Sequence, residues 1–184
     1  HTEWKITLPS YSMIEFIKLE LLQGHQLTAI TKDKPIYIAI GNSITQGAGI
    51  NSFSTRLSYP FQVADSLGYE LYNWGVGGSK INDHILSNLS PEITPSLVTV
   101  LWGYNDVHYS SSDDHFETST FPMYKKVLET IVQQHPNACV LAILPTLTSN
   151  TYHSAVRTID SLEAGQKQII QELQQTYLNL HYIN

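Results

Sequence analysis

Three short segments of the 184-residue chain hold groups that could act on a polarised carbonyl. In Gly41-Asn42-Ser43-Ile44-Thr45, a serine follows the apolar run Ile36 to Ile40. If that run is a strand, the Ser43 hydroxyl stands at its carboxyl end, where a nucleophile would be useful. Ser43 could equally cap the helix that comes next. In Asn73-Trp74-Gly75-Val76-Gly77-Gly78, closely spaced glycines let a backbone N–H approach a substrate oxygen, or simply make a tight turn. In Gly103-Tyr104-Asn105-Asp106, Asn105 offers a neutral amide donor and Asp106 a carboxylate, and Asn-Asp after a strand is also ordinary turn chemistry.

Other motif chemistries fail on spacing. Gly41 and Gly47 are separated by five residues and no lysine follows, so the segment is not a phosphate-binding P-loop. A hydrolase elbow of the form G-x-S-x-G is absent from the sequence. Gly75, Gly77 and Gly78 miss the dinucleotide pattern G-x-G-x-x-G and follow the second strand, not the first. His84, His115 beside Asp113 and Asp114, His135 and His153 share no metal-ligand spacing, and no metal or other cofactor is expected. Cys139 is the only cysteine; its apolar strand predicts an inert, buried thiol.

The elements that must position these groups are legible as a β-α alternation. Strands are expected at Ile36 to Ile40, Glu70 to Trp74, Leu97 to Trp102, Val140 to Leu144 and Leu178 to Ile183. Helical patterns fall at Pro60 to Leu67, at Lys80 to Leu89, and over Tyr124, Val127, Leu128, Ile131 and Val132. A long one carries Val156, Ile159, Leu162, Ile169 and Leu173. Continuous rather than alternating apolar strands predict a parallel sheet of about five strands covered by helices on both faces. Chemistry in such sheets sits at the carboxyl ends of the strands, where all three segments fall. The pattern changes near Lys32 to Pro35, which divides the chain into 1–34 and 35–184. The first part holds three extended-looking runs, Trp4 to Leu8, Ile14 to Leu21 and Gln26 to Thr31, too little to bury a core alone.

A formal charge of -6 and a pI near 5.7 leave no basic excess, which argues against nucleic acid and anionic membrane surfaces as partners. The longest apolar runs, Cys139 to Leu144 and Leu97 to Trp102, have strand length, far short of the ~20 residues of a membrane helix.

Taken together and in order, I-G-N-S-I-T at strand one, N-x-G-x-x-G at strand two and G-Y-N-D at strand three resemble three of the four blocks of the SGNH (GDSL-type) hydrolase family. The resemblance covers residues 35–184 and implies a flavodoxin-like doubly wound sheet. Asn42 stands where the family usually has Asp, a departure that leaves the serine in place. Position by position, the resemblance makes Ser43 the nucleophile and gives the oxyanion hole to the Ser43 N–H, the Gly78 N–H and the Asn105 side-chain amide. Three fixed neutral donors suit that task, since negative charge develops on one oxygen of the tetrahedral intermediate. Gly78 is expected to be glycine because a Cβ would crowd the acyl group. Asn73 and Gly75 are expected to hold the turn, and Asp106 to brace its loop.

The 1–34 segment is similar to the closing strands of a small β-sandwich that precedes the hydrolase domain in two-domain SGNH carbohydrate esterases. That likeness implies removal of acetyl groups from carbohydrate by an exported, secreted or periplasmic, protein. Trp74, Trp102 and Tyr104 are candidates to stack on a sugar, or are core. The expected function is therefore a serine esterase acting on a small ester, with acetylated carbohydrate as substrate. The competing readings are a non-catalytic glycan- or nucleotide-binding module and a lipid or thioester deacylase. The family draws its catalytic His from a D-x-x-H block after strand five, and no histidine of this sequence has Asp three residues before it. His108 and His153, on loops after strands three and four, are the possible substitutes. The expectation is a chain truncated at both ends, weakly active or inactive as written.

Overall fold

The computed structural model describes residues 15, 17–26, 28, 33–50, 55–88, 92–109, 112–145 and 157–184. Five strands form one sheet: β1 (Ile36–Gly41), β2 (Glu70–Gly75), β3 (Pro95–Leu101), β4 (Cys139–Ile143) and β5 (Leu180–Ile183). Their order is β2-β1-β3-β4-β5 and every pairing is parallel. This is the flavodoxin-like doubly wound order, with a switch point between β1 and β3.

Alternate residues of the strands feed two apolar layers. Ile38, Ile40, Val98, Val100, Val140 and Ala142 face helices α4 (Phe121–Gln134) and α5 (Ile159–Gln174). The α4 face is built from Tyr124, Val127, Leu128, Ile131 and Val132, all buried at the expected helical spacing. On the opposite face, Tyr37 and Ala39 pack on Ala64 and Val63 of helix α2 (Tyr59–Leu67). A five-residue π-helical turn, Phe116–Thr120, leads directly into α4. Helix α5 starts at a capping box in which Thr158 and Ser161 satisfy each other's backbone donors.

Three expectations need correction. The helix expected over Lys80 to Leu89 is an irregular segment closing in one 3₁₀ turn, His84–Asn88. Its backbone donors are taken by side chains: Asp106 Oδ2 accepts from the Ile81 N–H, and Asn82 Oδ1 from the His84 N–H. Cys139 is exposed, not buried. Side chains of β4 that face α4 and α5 are covered, whereas those on the other face, Cys139 first among them, are covered only in part. Finally, residues 17–22 form no strand, and Ile17 and Leu22 are about four-fifths exposed. The turn at Gln23-Gly24 is present. The run Trp4 to Leu8, and most of Gln26 to Thr31, lie outside the described residues.

Candidate active site

Because β1 lies between β2 and β3, the segments that follow these three strands are neighbours at one sheet edge. Ser43 opens the four-residue helix α1 (Ser43–Gln46). The cap of that helix is Asn42, whose side-chain oxygen accepts from the Ile44 N–H at 3.0 Å. Ser43 is therefore not the cap, and its hydroxyl is released from that duty. A neutral amide does here what the family's carboxylate would do.

So short a helix holds its shape only because its surroundings hold it. A Cβ at Gly41 would lie 2.1 Å from Thr45 Oγ1 and 2.4 Å from the Leu101 carbonyl, and one at Gly75 would lie 2.2 Å from the Gln46 nitrogen. The two glycines let α1 sit directly on the ends of β1 and β2. Asn73 reinforces the seat: its Nδ2 donates to the Thr45 carbonyl at 2.9 Å, while its oxygen accepts from the Gly75 N–H at 2.9 Å. The expected turn-holding roles of Asn73 and Gly75 are what the geometry displays. Beneath α1, the Thr45 hydroxyl pairs with Tyr59 at 3.1 Å, and Tyr37 pairs with Thr99 at 2.8 Å. Burial pushes both tyrosine hydroxyls above the usual phenol range.

Gly78 lies in the exposed turn after β2 with φ +75°. No protein atom lies within 4 Å of where its Cβ would be, and within the protein it is the backbone conformation that favours glycine there. The turn is tied to α1 by the Gly77 N–H on Gln46 Oε1 (2.7 Å) and to β1 by the Val76 N–H on the Gly41 carbonyl (3.0 Å).

Asn105 belongs to the short helix α3 (Tyr104–His108) and is 4% exposed. Its Nδ2 donates to the Ser79 carbonyl at 2.9 Å, which locks the amide beside the Gly78 turn. An amide nitrogen carries two hydrogens, so the second remains for a ligand. Asp106 is buried and acts as the expected brace, accepting from the Ile81 N–H and from the Thr120 hydroxyl, each at 3.1 Å. Burial raises its carboxyl above the usual carboxylate range, and these donors, with His115 Nε2 at 3.7 Å, pull the other way. The network thus joins the turn that carries Gly78 to Asn105 through Ser79, and ties that turn to α1 and β1 through Gln46 and Gly41.

Of the histidines, His108 ends α3 on this same edge with its ring 4.5 Å from that of Tyr104. His135 caps the far end of α4 at the opposite edge, where burial lowers its basicity. His153 lies outside the described residues. Trp102 is 3% exposed and its indole N–H donates to Ser79 Oγ, which makes it core rather than a sugar platform. Among the described residues, no group of three or more His, Cys, Asp or Glu is placed to hold a metal, and no helix is long and apolar enough to cross a membrane.

Two contributors were not anticipated. Ser79 links three elements at once, and a serine after a glycine pair gives no sign of it. Gln166 is fully buried in α5 and donates to the Trp102 carbonyl at 2.9 Å, steadying the start of the Asn105 segment. Its signal was available: a polar residue inside the apolar stripe of Leu162 and Ile170.

A parallel α/β sheet with a serine, a glycine turn and an asparagine at three adjacent strand ends defines the SGNH class of serine hydrolases. The chain belongs to the GDSL-like Lipase/Acylhydrolase family, whose model matches residues 39–184. No curated protein matches by sequence. Among solved structures, the chain is similar to a family two carbohydrate esterase from Clostridium thermocellum in complex with cellohexaose. The TM-score is 0.66 at 16% identity, over 85% of this chain and 56% of that one. A carbohydrate esterase family 2 enzyme plus carbohydrate binding domain from Corynascus thermopiles (Myceliophthora fergusii) gives 0.64 at 18%, over 88% and 59%. The salicylyl-acyltransferase SsfX3 from a tetracycline biosynthetic pathway gives 0.67 at 17%, over 89% and 46%. The chain thus spans about half the length of these three proteins.

Proposed function

We propose that the protein is a serine-dependent carboxylic ester hydrolase that removes small acyl groups, acetyl foremost, from carbohydrate. The observation that supports this reading is that Ser43 opens α1 relieved of capping by Asn42, that α1 is tied through Gln46 to the turn that carries Gly78, and that the Asn105 amide bonds the same turn at Ser79. Ser43 Oγ attacks the ester carbonyl, and the carbonyl oxygen becomes an oxyanion held by the Ser43 and Gly78 N–H groups and the Asn105 amide. Collapse of the intermediate expels the alcohol and leaves an acyl-serine, which water then hydrolyses. A histidine must take the Ser43 proton and return it to the leaving alcohol. We assign that role to the family's D-x-x-H block rather than to His108, whose ring packs at a 52° tilt against that of Tyr104.

The carbohydrate alcohol is supported by likeness to the two carbohydrate esterase structures. That the protein is exported is proposed from the resemblance of its sequence to exported carbohydrate esterases. A fluorophosphonate probe applied to the full-length protein should label Ser43, and Ser43→Ala should abolish both labelling and release of acetate from acetylated xylan. Labelling at another residue, or turnover that survives in the alanine variant, would overturn the proposal.

A further inference from the structure

The turn that carries the Gly78 N–H is poorly suited to hold it still. Gly77 and Gly78 are both exposed, no protein atom lies within 4 Å of a Cβ at Gly78, and glycine has the widest backbone freedom of any residue. Packing therefore does not aim this N–H; the bonds on either side of it do. A donor to an oxyanion contributes fully only when it is already aimed before the charge appears, so the anchors of this turn bear on catalysis.

On one side, the Gly77 N–H donates to Gln46 Oε1 at 2.7 Å. On the other side stands Ser79, which meets the segment after β3 twice. Its carbonyl accepts from Asn105 Nδ2 at 2.9 Å, and its hydroxyl oxygen accepts from the Trp102 indole N–H at 3.1 Å. The same hydroxyl donates to the Gly41 carbonyl at 3.4 Å, the carbonyl that also takes the Val76 N–H at 3.0 Å. Trp102 is a fixed post: it is 3% exposed in the main core, and its carbonyl accepts from Gln166 Nε2 at 2.9 Å. A single bond to Asn105 would leave the Ser79 peptide free to swing about the amide. Two bonds, to residues three apart in one segment, set its orientation, and with it that of the residue before.

We propose that the Ser79 hydroxyl is a positioning group for the oxyanion hole: docked on the Trp102 indole, it holds the Gly78 N–H and the Asn105 amide in a fixed relation to each other. The proposal rests on the oxyanion roles given above to Gly78 and Asn105. Ser79→Ala isolates the effect, because it keeps the carbonyl that Asn105 uses and removes only the hydroxyl. With p-nitrophenyl acetate and the full-length protein, kcat should fall roughly tenfold or more, short of the ~10²–10³-fold loss expected when a whole donor is removed. KM should stay within about twofold, since these donors act on the transition state and not on the bound ester. Trp102→Phe keeps an aromatic ring in the core and removes the indole N–H. It should also lower kcat, and the double variant should be no slower than the slower single one, because both changes break the same bond. A kcat for Ser79→Ala within about twofold of wild type, or losses that multiply in the double variant, would overturn the proposal.

A second measurement does not depend on turnover. In ¹⁵N relaxation, the Asn105 side-chain amide should be rigid in the unsubstituted protein and clearly more mobile in Ser79→Ala. An amide equally rigid in both would refute the clamp in a protein that hydrolyses esters or in one that does not. Failure of a fluorophosphonate to label Ser43 in the unsubstituted protein would instead sink the esterase reading, with the relaxation of Asn105 still deciding whether Ser79 holds the two segments together.

Discussion

Replacing Asn105 by alanine separates the two jobs that its amide holds. One N–H is committed to the Ser79 carbonyl at 2.9 Å, and Asn105 is 4% exposed, so the variant leaves a part-buried carbonyl short of a partner. That loss should cost about 1–3 kcal/mol of stability. For a chain of this size, it corresponds to a drop in Tm of roughly 2–12 °C. The other N–H is assigned to the oxyanion, and removal of one such donor lowers turnover by about 10²–10³-fold, or ~2.7–4 kcal/mol of transition-state stabilisation. Stability and catalysis should therefore both fall in Asn105→Ala, and by amounts that can be measured separately. Thermal unfolding followed by circular dichroism gives the first, and the rate of acetyl ester hydrolysis by full-length protein, well below the unfolding transition, gives the second. The oxyanion assignment fails if turnover drops less than about tenfold while Tm falls as stated, since Asn105 would then only brace its loop.

Two further predictions address the neighbours of the site. Asn42→Ala should lower stability by ~0.5–2 kcal/mol through loss of the cap on α1, whereas Asn42→Asp should retain it; equal unfolding temperatures for all three proteins would show that the cap contributes nothing. Asp106 is an acid whose folded-state pKa is raised by burial, so its contribution to stability is fully present below the ordinary carboxylate pKa and is lost as pH rises through the folded value. Asp106→Asn should accordingly flatten the decline of Tm with rising pH above about 4; an unchanged pH slope would contradict the burial argument.

The sheet was readable because parallel strands covered on both faces are spelled as unbroken apolar runs, and all five strand positions agree with the structure to within a few residues. Helix α4 was readable for the complementary reason, an apolar stripe at regular helical spacing. Lys80 to Leu89 misled because its local pattern is helical while its backbone donors are claimed by Asn82 and, from 25 residues away, by Asp106. A local pattern carries no information about so distant an acceptor. Cys139 misled because a run of apolar residues does not reveal which face of a strand its helices leave less covered. At the site, the family resemblance gave Ser43, Gly78 and Asn105 their candidate roles, but only the structure showed that Asn42 does the capping and that Ser79 is the link between the loops. For Gly78 the structure supplies a reason the sequence did not, a left-handed backbone at φ +75°.

The seat of α1 and the segment that follows β2 are built from different material. Steric fit at Gly41 and Gly75 and the bonds of Asn73 fix the serine, and almost any side chain added to those glycines would collide with backbone or with Thr45. The segment from Val76 to Ile85 is anchored largely through backbone groups, at Val76, Gly77, Ser79 and Ile81, so the side chains of Val76 and Ile85 can vary while those anchors persist. Inheritance can therefore keep the seat of the serine constant and rewrite the side chains beside it, one at a time, without passing through a misfolded intermediate sequence.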